Sequence, residues 1–384
     1  MMNRKWGTGV RMVAMWIIVA FLVVATASGV DAQTNSLDPA KRAEMEVAVH
    51  KFMDKTHAPG ISASAVVDGQ VAWSEGFGFA DMEGKVPATA ETLYRLASVS
   101  KPLTATAAME LWERGKLDLD APIQKYCPQF PVKPYPITTR ELLGHLGGIR
   151  HYKTGADDLE GNNTKHFDDP IAGGIQFFAN DPLVEIPGAK FHYTTMGYTL
   201  VGCAIEGASN AKYVDFTTQS VFVPAGMTHT VADDTTKKIP ERTRFYSTDK
   251  QGRVVSARPL DSSYKIPGGG WLSSANDLAE FEIAMMDDKL VKRATRDLMW
   301  TTQKQADGTV DHYGLGFGIA KVGELAAVGH SGSQQGTSTD ILIVPEKRDG
   351  IVVLINMDEL DAAGLAHGLM EILVGAKVEA VRVK

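Results

Sequence analysis

The sequence predicts an α+β fold in which strands from both ends of the chain form one antiparallel sheet. Segments rich in small and β-branched residues lie near the N-terminus, at 61–67 and 70–79, and again near the C-terminus. A run of helical patterns separates the two groups and contains no internal repeat or low-complexity linker. One sheet built from both groups, with helices flanking it and a mostly helical middle region beside it, is the most economical arrangement.

The N-terminal group begins with a helix and continues into a hairpin. Asp38 followed by Pro39 is typical of an N-cap and a first helical position, and the pattern that follows predicts a helix to about residue 56. Ala58-Pro59-Gly60 ends this helix. Asp68-Gly69, between two strand-like segments, predicts a tight turn.

The middle and the C-terminal part of the chain also contain recognisable helix and strand patterns. The clearest helical patterns of the middle region are at 102–114 and 276–286. Segments with strand composition, separated by Gly, Pro and charged turns, lie at 314–322, 326–329, 337–344 and 351–356. A last helix is predicted at 364–373.

The first 32 residues differ from the rest of the chain. Arg4, Lys5 and Arg11 precede an uncharged run over 12–27, and Val30-Asp31-Ala32 follows it. This pattern predicts a signal peptide cleaved after Ala32, which leaves one domain over 33–384. A retained anchor is the alternative, but the run has 16 residues and a spanning helix usually needs about 20. We therefore expect a periplasmic or secreted protein without stable membrane association after cleavage.

Composition and charge exclude several classes of protein. The chain is 44% hydrophobic and 22% charged, which is ordinary for a globular protein and argues against disorder. Without the three basic residues and one acidic residue of the first 32, 36 basic and 45 acidic residues remain, a net charge of −9. Nucleic acid is not an expected partner, because its phosphates would be repelled.

The chain has two cysteines, Cys127 and Cys203. Export would place them in an oxidising compartment, where a disulfide can form. The sequence does not show that they meet, so a disulfide and two buried thiols both stay open.

Ser98 and Lys101 stand three residues apart at the start of a predicted helix and would share one of its faces. A serine hydroxyl needs a neighbouring base near neutral pH, and a partly desolvated lysine with a lowered pKa can take its proton. The helix N-terminus also offers backbone N–H groups for a developing oxyanion. By itself the Ser-x-x-Lys pattern is weak evidence, since many serines are N-caps followed by a solvated lysine.

The context of this pair resembles a known family. Over about residues 40–375, three motifs stand in the order of those of the penicillin-binding-protein and class C β-lactamase-like serine hydrolases: Ser98-Val99-Ser100-Lys101, Tyr193-Thr194-Thr195 and His330-Ser331-Gly332. Stretches at 142–149, 267–274 and 313–318 support the resemblance. The chain looks closest to the serine β-lactamase-like proteins, which include a mitochondrial peptidase branch, with family VIII carboxylesterases as near neighbours. The implied β-lactamase/transpeptidase-like fold has its sheet region at 33–97 and 310–384 and its helical region at 98–309.

The resemblance implies a role for each motif. Ser98 would be acylated and Lys101 would be its base. Tyr193 would be a second proton carrier, either as a phenolate stabilised by Lys101 or by exchanging a proton with it. Gly332 would let the substrate approach its strand closely, and the N–H groups of Ser98 and Ser333 would form the oxyanion hole. No metal or organic cofactor is implied.

Two departures from the family pattern bear on the substrate, which we expect to be a small molecule or a peptide with an acyl group. Thr195 stands where class C β-lactamases usually carry Asn, and its hydroxyl has a shorter reach. His330 replaces a lysine and would be only partly protonated near neutral pH, which weakens a fixed positive charge for a substrate carboxylate. We therefore expect peptide or ester hydrolysis. The alternatives are a class C-like β-lactamase or D-alanyl-D-alanine carboxypeptidase, and a catalytically silent binding protein for cell-wall peptides.

Other patterns are weaker. His145 and His151 lie six residues apart without a nearby set of carboxylate or thiol ligands, so we expect no metal site there. The aromatic residues Tyr152, Trp271, Tyr313 and Phe317 could line a pocket, although each is at least as consistent with core packing.

Overall fold

The computed structural model describes residues 37–153, 160–161 and 163–379. The predicted signal segment, 1–32, lies outside the described residues. Within the described part, none of the helices combines the length and the apolar character needed to cross a bilayer.

Strands occur at both ends of the described chain and, as short pieces, in its middle. The N-terminal strands are β1 (Gly60–Val67), β2 (Gln70–Asp81) and β3 (Val86–Pro87). The middle contains β4 (Tyr94–Arg95), β5 (Val231–Ala232), β6 (Tyr246–Thr248), β7 (Val254–Ser256) and β8 (Trp271–Ser273). The C-terminal strands are β9 (Gly318–Val322), β10 (Leu325–Gln334), β11 (Thr337–Val344), β12 (Asp349–Ile355) and β13 (Val378–Glu379).

The helices lie mostly in the middle of the chain. They are α1 (Pro39–Thr56), α2 (Ser100–Glu113), α3 (Thr139–Leu143), α4 (Pro170–Ile175), α5 (Thr195–Ser209), α6 (Tyr213–Thr217), α7 (Val223–Ala225), α8 (Ile266–Gly269), α9 (Ala275–Met286), α10 (Arg293–Met299) and α11 (Ala362–Val374). The Asp38 carboxylate accepts hydrogen bonds from the N–H groups of Ala40 and Lys41, as expected of an N-cap.

Both ends of the chain contribute to one antiparallel sheet. Its order is β13-β9-β10-β11-β12-β1-β2-β3, and every neighbouring pair is antiparallel. The joint between the two ends is the pairing of β1 with β12, where Ile61 lies opposite Ile355. The α+β fold class predicted from the sequence is confirmed.

The sheet separates two hydrophobic cores. Along β12, Ile351, Val353 and Ile355 belong to the core that contains residues of α1 and α11. Val352 and Leu354, on the opposite face, belong to the core of the helical region. This alternation is the period-two pattern of a strand buried on both faces, and it explains why β12 is apolar from Ile351 to Ile355.

Two predicted strands differ in extent from those observed. The strand predicted at 314–322 begins only at Gly318, because residues 314–317 form a turn in which Gly316 has a φ of 89°. The strand predicted at 326–329 continues as β10 to Gln334. This longer strand carries His330 through Ser333, so the third motif lies on a strand of the sheet.

Cys127 and Cys203 are joined in a disulfide. The sequence left this pairing open. The bond links the segment that follows α2 to the middle of α5, and both of these helices border the candidate site described below.

Candidate active site

Ser98 lies in a single 3-10 turn, Ala97–Val99, between β4 and the N-terminus of α2. The residue before it, Ala97, has a φ of 46°, in the left-handed region that residues with a Cβ adopt infrequently. Ser98 itself is half-buried, while both of its neighbours are buried. The turn therefore presents the Ser98 side chain at the surface of an otherwise buried segment.

Arg95 anchors the strand that leads into this turn. Its Nε donates to Asp233 at 2.7 Å, its Nη2 donates to the carbonyl of Leu260 at 3.0 Å, and its Nη1 donates to the carbonyl of Gln335 at 3.2 Å. The pair Arg95–Asp233 is buried. Because Gln335 lies in the turn between β10 and β11, the guanidinium ties the Ser98 segment to the end of β10.

Lys101 is completely buried and points at Ser98. Its Nζ lies 2.8 Å from Ser98 Oγ, 2.8 Å from the carbonyl oxygen of Gly268 and 3.3 Å from Thr195 Oγ1. A neutral amine fits this arrangement, because its two N–H groups can donate to Gly268 and Thr195 while its lone pair accepts the proton of the Ser98 hydroxyl.

The electrostatic surroundings favour that neutral form. None of the three partners of the Lys101 amine is a carboxylate. Burial lowers the pKa of Lys101 well below its usual value, and the nearby charge of Lys265 lowers it further. Lys265, which sequence reasoning did not identify, is itself buried. These surroundings therefore favour the neutral amine, the form that can accept a proton from Ser98.

Tyr193 lies next to Ser98, with which its hydroxyl interacts. The Lys101 Nζ lies 4.8 Å from the centre of the Tyr193 ring. Burial raises the pKa of the Tyr193 phenol, and its contact with Ser98 offsets this only in part. The structure thus favours a protonated phenol and disfavours the phenolate that was one of the two expectations.

His145 and His151 hold the backbone that carries Tyr193. Nδ1 of His145 accepts a hydrogen bond from the N–H of Thr194 at 3.2 Å, and Nδ1 of His151 accepts one from the N–H of Thr195 at 3.1 Å. Burial lowers the pKa of both imidazoles, that of His151 to about 3, which keeps these nitrogens available as acceptors. Sequence reasoning considered this pair only as metal ligands and missed its contact with the Tyr193 segment.

His330 is close to Tyr193 and is paired with Tyr313. Its Nδ1 lies 2.6 Å from the carbonyl oxygen of Ser331, and its Nε2 lies 3.0 Å from the Tyr313 hydroxyl. Burial, with a contribution from Lys101, lowers the pKa of His330 to about 3. The surroundings of the ring therefore favour a neutral imidazole over the partial protonation that the sequence suggested, chiefly because of burial.

Gly332 lies directly against the nucleophile turn. A Cβ at this position would come within 2.4 Å of the Leu96 carbonyl oxygen and 3.0 Å of the Ser98 nitrogen. The glycine is thus required by the approach of β10 to the Ser98 segment, as well as by any substrate. Ser333, one residue further, is exposed and lines the cleft.

Thr195 faces the base. Its side chain is buried and contacts the Lys101 amine, and its residue begins α5. The structure therefore adds a contact with the Lys101 amine at 3.3 Å. Thr195 also lines the cleft, so its expected contact with a substrate stays a prediction.

The site opens into a cleft with two lobes that share Ser98, His151 and Ser333. The larger lobe has a volume of about 610 Å³, and its other lining residues are Phe191, His192, Tyr193, Tyr313, Gly318, His330 and Ser331. The smaller lobe has a volume of about 230 Å³, and its other lining residues are Ala97, Tyr152, Gly161, Thr195, Lys265, Gly268, Gly269, Gln334 and Gln335. A substrate carbonyl next to Ser98 would therefore have room on both sides.

Comparison with known proteins supports the resemblance seen in the sequence. The chain is 32% identical to the human protein named serine beta-lactamase-like protein LACTB, mitochondrial, over 78% of this chain and 71% of that protein. The octameric penicillin-binding protein homologue from Pyrococcus abyssi superposes with a TM-score of 0.77 at 30% identity, covering 88% of this chain and 78% of that one. EstCE1, described as a hydrolase with promiscuous acyltransferase activity, has the same fold, with a TM-score of 0.73 at 20% identity over 87% and 98% of the two chains.

A family model extends over most of the chain. The model described as Beta-lactamase matches residues 45–373, a range that contains the Ser98, Tyr193 and His330 segments and both ends of the sheet. This chain therefore belongs to the beta-lactamase family.

Proposed function

We propose that this protein is an exported serine hydrolase that forms an acyl-enzyme on Ser98 with peptide or ester substrates. One observation carries the proposal: the buried amine of Lys101 lies 2.8 Å from Ser98 Oγ and has no carboxylate among its hydrogen-bond partners. A lysine in these surroundings is a base, since burial disfavours its charged form.

Acylation follows from this geometry. The Lys101 lone pair takes the Ser98 proton as Oγ bonds to the substrate carbonyl carbon, and the carbonyl oxygen becomes an oxyanion. By analogy with the family, the backbone N–H groups of Ser98 and Ser333 stabilise that oxyanion. Preorganised donors of this kind commonly contribute about 10² to 10³ in rate.

Tyr193 completes the proton transfers. Its protonated phenol lies beside Ser98 and donates a proton to the departing nitrogen or oxygen as the carbonyl–heteroatom bond breaks. The phenol regains a proton from Lys101. A water molecule then attacks the acyl carbon and gives up a proton to the same pair of groups. This pair returns a proton to Ser98 Oγ as the bond between Oγ and the acyl carbon breaks, which releases the acid product and free Ser98.

The sheet offers a place for an extended substrate. In the described residues, β9 pairs with β10 only from Leu325 to Gly329. The outer edge of β10 from His330 onward therefore faces the cleft, and the side chains of Ser331 and Ser333 are exposed there. A peptide main chain could pair with this edge by strand addition.

The cellular location and the reaction class rest on different kinds of support. The basic and apolar pattern within residues 1–32 and the disulfide between Cys127 and Cys203 favour a periplasmic or secreted protein. The human relative is named as mitochondrial, so the proposed export of this chain would be a difference in location between the two proteins. EstCE1 is described as a hydrolase, which agrees with the proposed reaction class.

Intact-mass measurement tests the proposal most directly. The protein is incubated with a fluorophosphonate, p-nitrophenyl butyrate, a chromogenic cephalosporin and a D-Ala-D-Ala peptide, and turnover of each substrate is measured. We expect an adduct on the wild type and on Ser100→Ala, the neighbouring-serine control, but none on Ser98→Ala. No adduct and no turnover would favour the binding-protein alternative.

A further inference from the structure

The leaving group of the proposed reaction lies in the larger lobe of the cleft. The atom that leaves must receive a proton, so it lies beside the Tyr193 hydroxyl. Tyr193 lines the larger lobe and is absent from the lining of the smaller one. This placement rests on the proposed function.

The described residues that line the larger lobe carry no permanent charge. Of the described residues that line it, none is lysine, arginine, aspartate or glutamate. A carboxylate that entered this lobe would lose hydration without meeting a cation, and burial of an unpaired charge is strongly unfavourable.

His330 occupies the position at which the family motif has lysine, but both of its ring nitrogens are already engaged. Nδ1 must carry a hydrogen, because it lies 2.6 Å from the Ser331 carbonyl oxygen, which can only accept. In that tautomer Nε2 has a lone pair, to which the Tyr313 hydroxyl, 3.0 Å away, can donate. Neither nitrogen is left as a donor for a substrate carboxylate.

Packing against neighbouring rings holds His330 and Tyr313 in place. The Tyr313 ring is buried, meets the His330 ring edge-on with 5.7 Å between ring centres, and lies 4.7 Å from the ring centre of His145. Burial and the nearby Lys101 lower the pKa of His330 to about 3, so the imidazole stays neutral at physiological pH.

We propose that the His330–Tyr313 pair makes this enzyme select substrates with an uncharged leaving group and discriminate against leaving groups that carry a carboxylate. The preferred substrates are neutral esters and amides, including peptides with no free carboxylate on the residue after the scissile bond. The same feature disfavours peptides that end immediately after that residue.

Two esters of one acyl group provide the test. Because the acyl group is the same, both esters form the same acyl-enzyme. Their leaving groups are 3-hydroxybenzamide and 3-hydroxybenzoate, which differ only in that one carries an amide and the other a carboxylate. We expect the wild-type kcat/KM to favour the carboxamide ester by about 10²-fold, the range typical of an uncompensated buried charge. Because both esters share deacylation, kcat/KM reports the step in which the leaving group is present.

Variants at position 330 test whether the charge or the shape of this side chain sets the preference for the carboxamide ester. In His330→Lys we expect the preference to fall by at least about tenfold, because an ammonium can pair with the carboxylate. In His330→Gln, the neutral control, we expect the preference to persist. Turnover of the carboxamide ester shows whether each variant is folded and able to acylate.

The outcomes distinguish the inference from the proposed function. Equal turnover of both esters by the wild type overturns the inference alone, and this comparison holds even if His330→Lys does not fold. A preference that is unchanged in an active His330→Lys overturns the role of His330. Failure of the wild type to hydrolyse either ester, together with no fluorophosphonate adduct, overturns the proposed function.

Discussion

The Nδ1 atom of His151 accepts a hydrogen bond from the backbone N–H of Thr195, 3.1 Å away. This contact fixes the chain two residues after Tyr193 from a separate loop. We expect His151→Leu to lower kcat by about 10- to 100-fold, because small misplacements of a proton donor are costly to catalysis. His151→Asn, whose side-chain oxygen can accept the same hydrogen bond, should recover most of the loss.

Steady-state kinetics on an ester substrate would check this prediction. Fluorophosphonate labelling of Ser98 should persist in His151→Leu, since Ser98 and Lys101 are untouched. His50→Gln, on α1 and outside the cleft lining, serves as the control. Equal kcat values for His151→Leu and the wild type would show that this contact does not position Tyr193.

The pH dependence of activity should report Lys101. Burial and Lys265 lower the pKa of this amine, and only its neutral form can take the Ser98 proton. Activity is therefore fully present above the pKa of folded Lys101 and is lost as the pH falls through it. We expect kcat/KM to level off on the alkaline side and to fall about tenfold per pH unit on the acid side.

The variant Lys265→Met tests whether the acid limb of this pH profile reports the ionisation of Lys101. Removal of the neighbouring positive charge raises the pKa of Lys101, so the acid limb should move to higher pH. Movement to lower pH, or an acid limb that does not move, would contradict the assignment of this limb to Lys101.

Glu282 should make stability depend on pH. It is completely buried on α9, and burial, with a contribution from Asp340, raises its pKa well above the usual value. The folded state therefore keeps a proton that the unfolded chain releases above a pH of about 4.3. Stability is full below that pH and is lost as the pH rises toward the folded-state pKa, by up to ~1.4 kcal/mol per pH unit.

Urea unfolding of Glu282→Gln at pH 5 and pH 8 would test this. We expect the variant to be more stable than the wild type at pH 8 and to show a smaller difference between the two pH values. Glu280→Gln, two residues earlier on the same helix, is the matched control. An identical pH dependence in Glu282→Gln and the wild type would rule out Glu282 as the source.

A methyl group at Gly332 should damage the site. It would come within 2.4 Å of the Leu96 carbonyl oxygen, a backbone atom next to the nucleophile turn. We expect Gly332→Ala to lose activity by at least about 10²-fold and stability by roughly 1 to 3 kcal/mol. In Gly368→Ala, on α11, the added Cβ meets nothing within 4 Å. That control should retain activity and gain up to ~1 kcal/mol.

The disulfide should contribute strongly to stability. Cys127 and Cys203 are separated by 76 residues, and a cross-link that closes a loop of this length is worth about 4 kcal/mol in the chain-entropy model. We expect the double variant Cys127→Ala/Cys203→Ala to unfold at lower denaturant concentration, and dithiothreitol to destabilise only the wild type. Insensitivity of the wild type to the reductant would indicate that the thiols are free.

Local sequence was sufficient for much of the fold. The Asp38 cap, the Asp68–Gly69 turn and the helix that carries Lys101 depend on contacts between residues a few positions apart, and all three are observed. Asp68 and Gly69 both have positive φ, at 51° and 76°, as a tight hairpin turn requires. The strand composition at the two ends was also enough to predict one antiparallel sheet, because each strand has to bury apolar side chains against a partner.

The family resemblance added the roles of Ser98, Lys101 and Tyr193, which short-range patterns could suggest only weakly. Strand composition predicted β10 only over 326–329, since Ser331, Gly332 and Ser333 have no strand-like composition, and only the resemblance implied that the third motif lies on a strand. Pairing with β11 supplies the hydrogen bonds that extend this strand.

Only the tertiary structure decided the chemistry around those residues. The neutral form of Lys101 is favoured because folding buries its amine against Gly268 and Thr195, which are distant in sequence. His330 becomes a neutral residue because Tyr313 and the walls of the cleft desolvate it. Protonation states depend on burial and on charges brought together by folding, which no short sequence pattern encodes, whereas caps, turns and helix faces depend on neighbours along the chain.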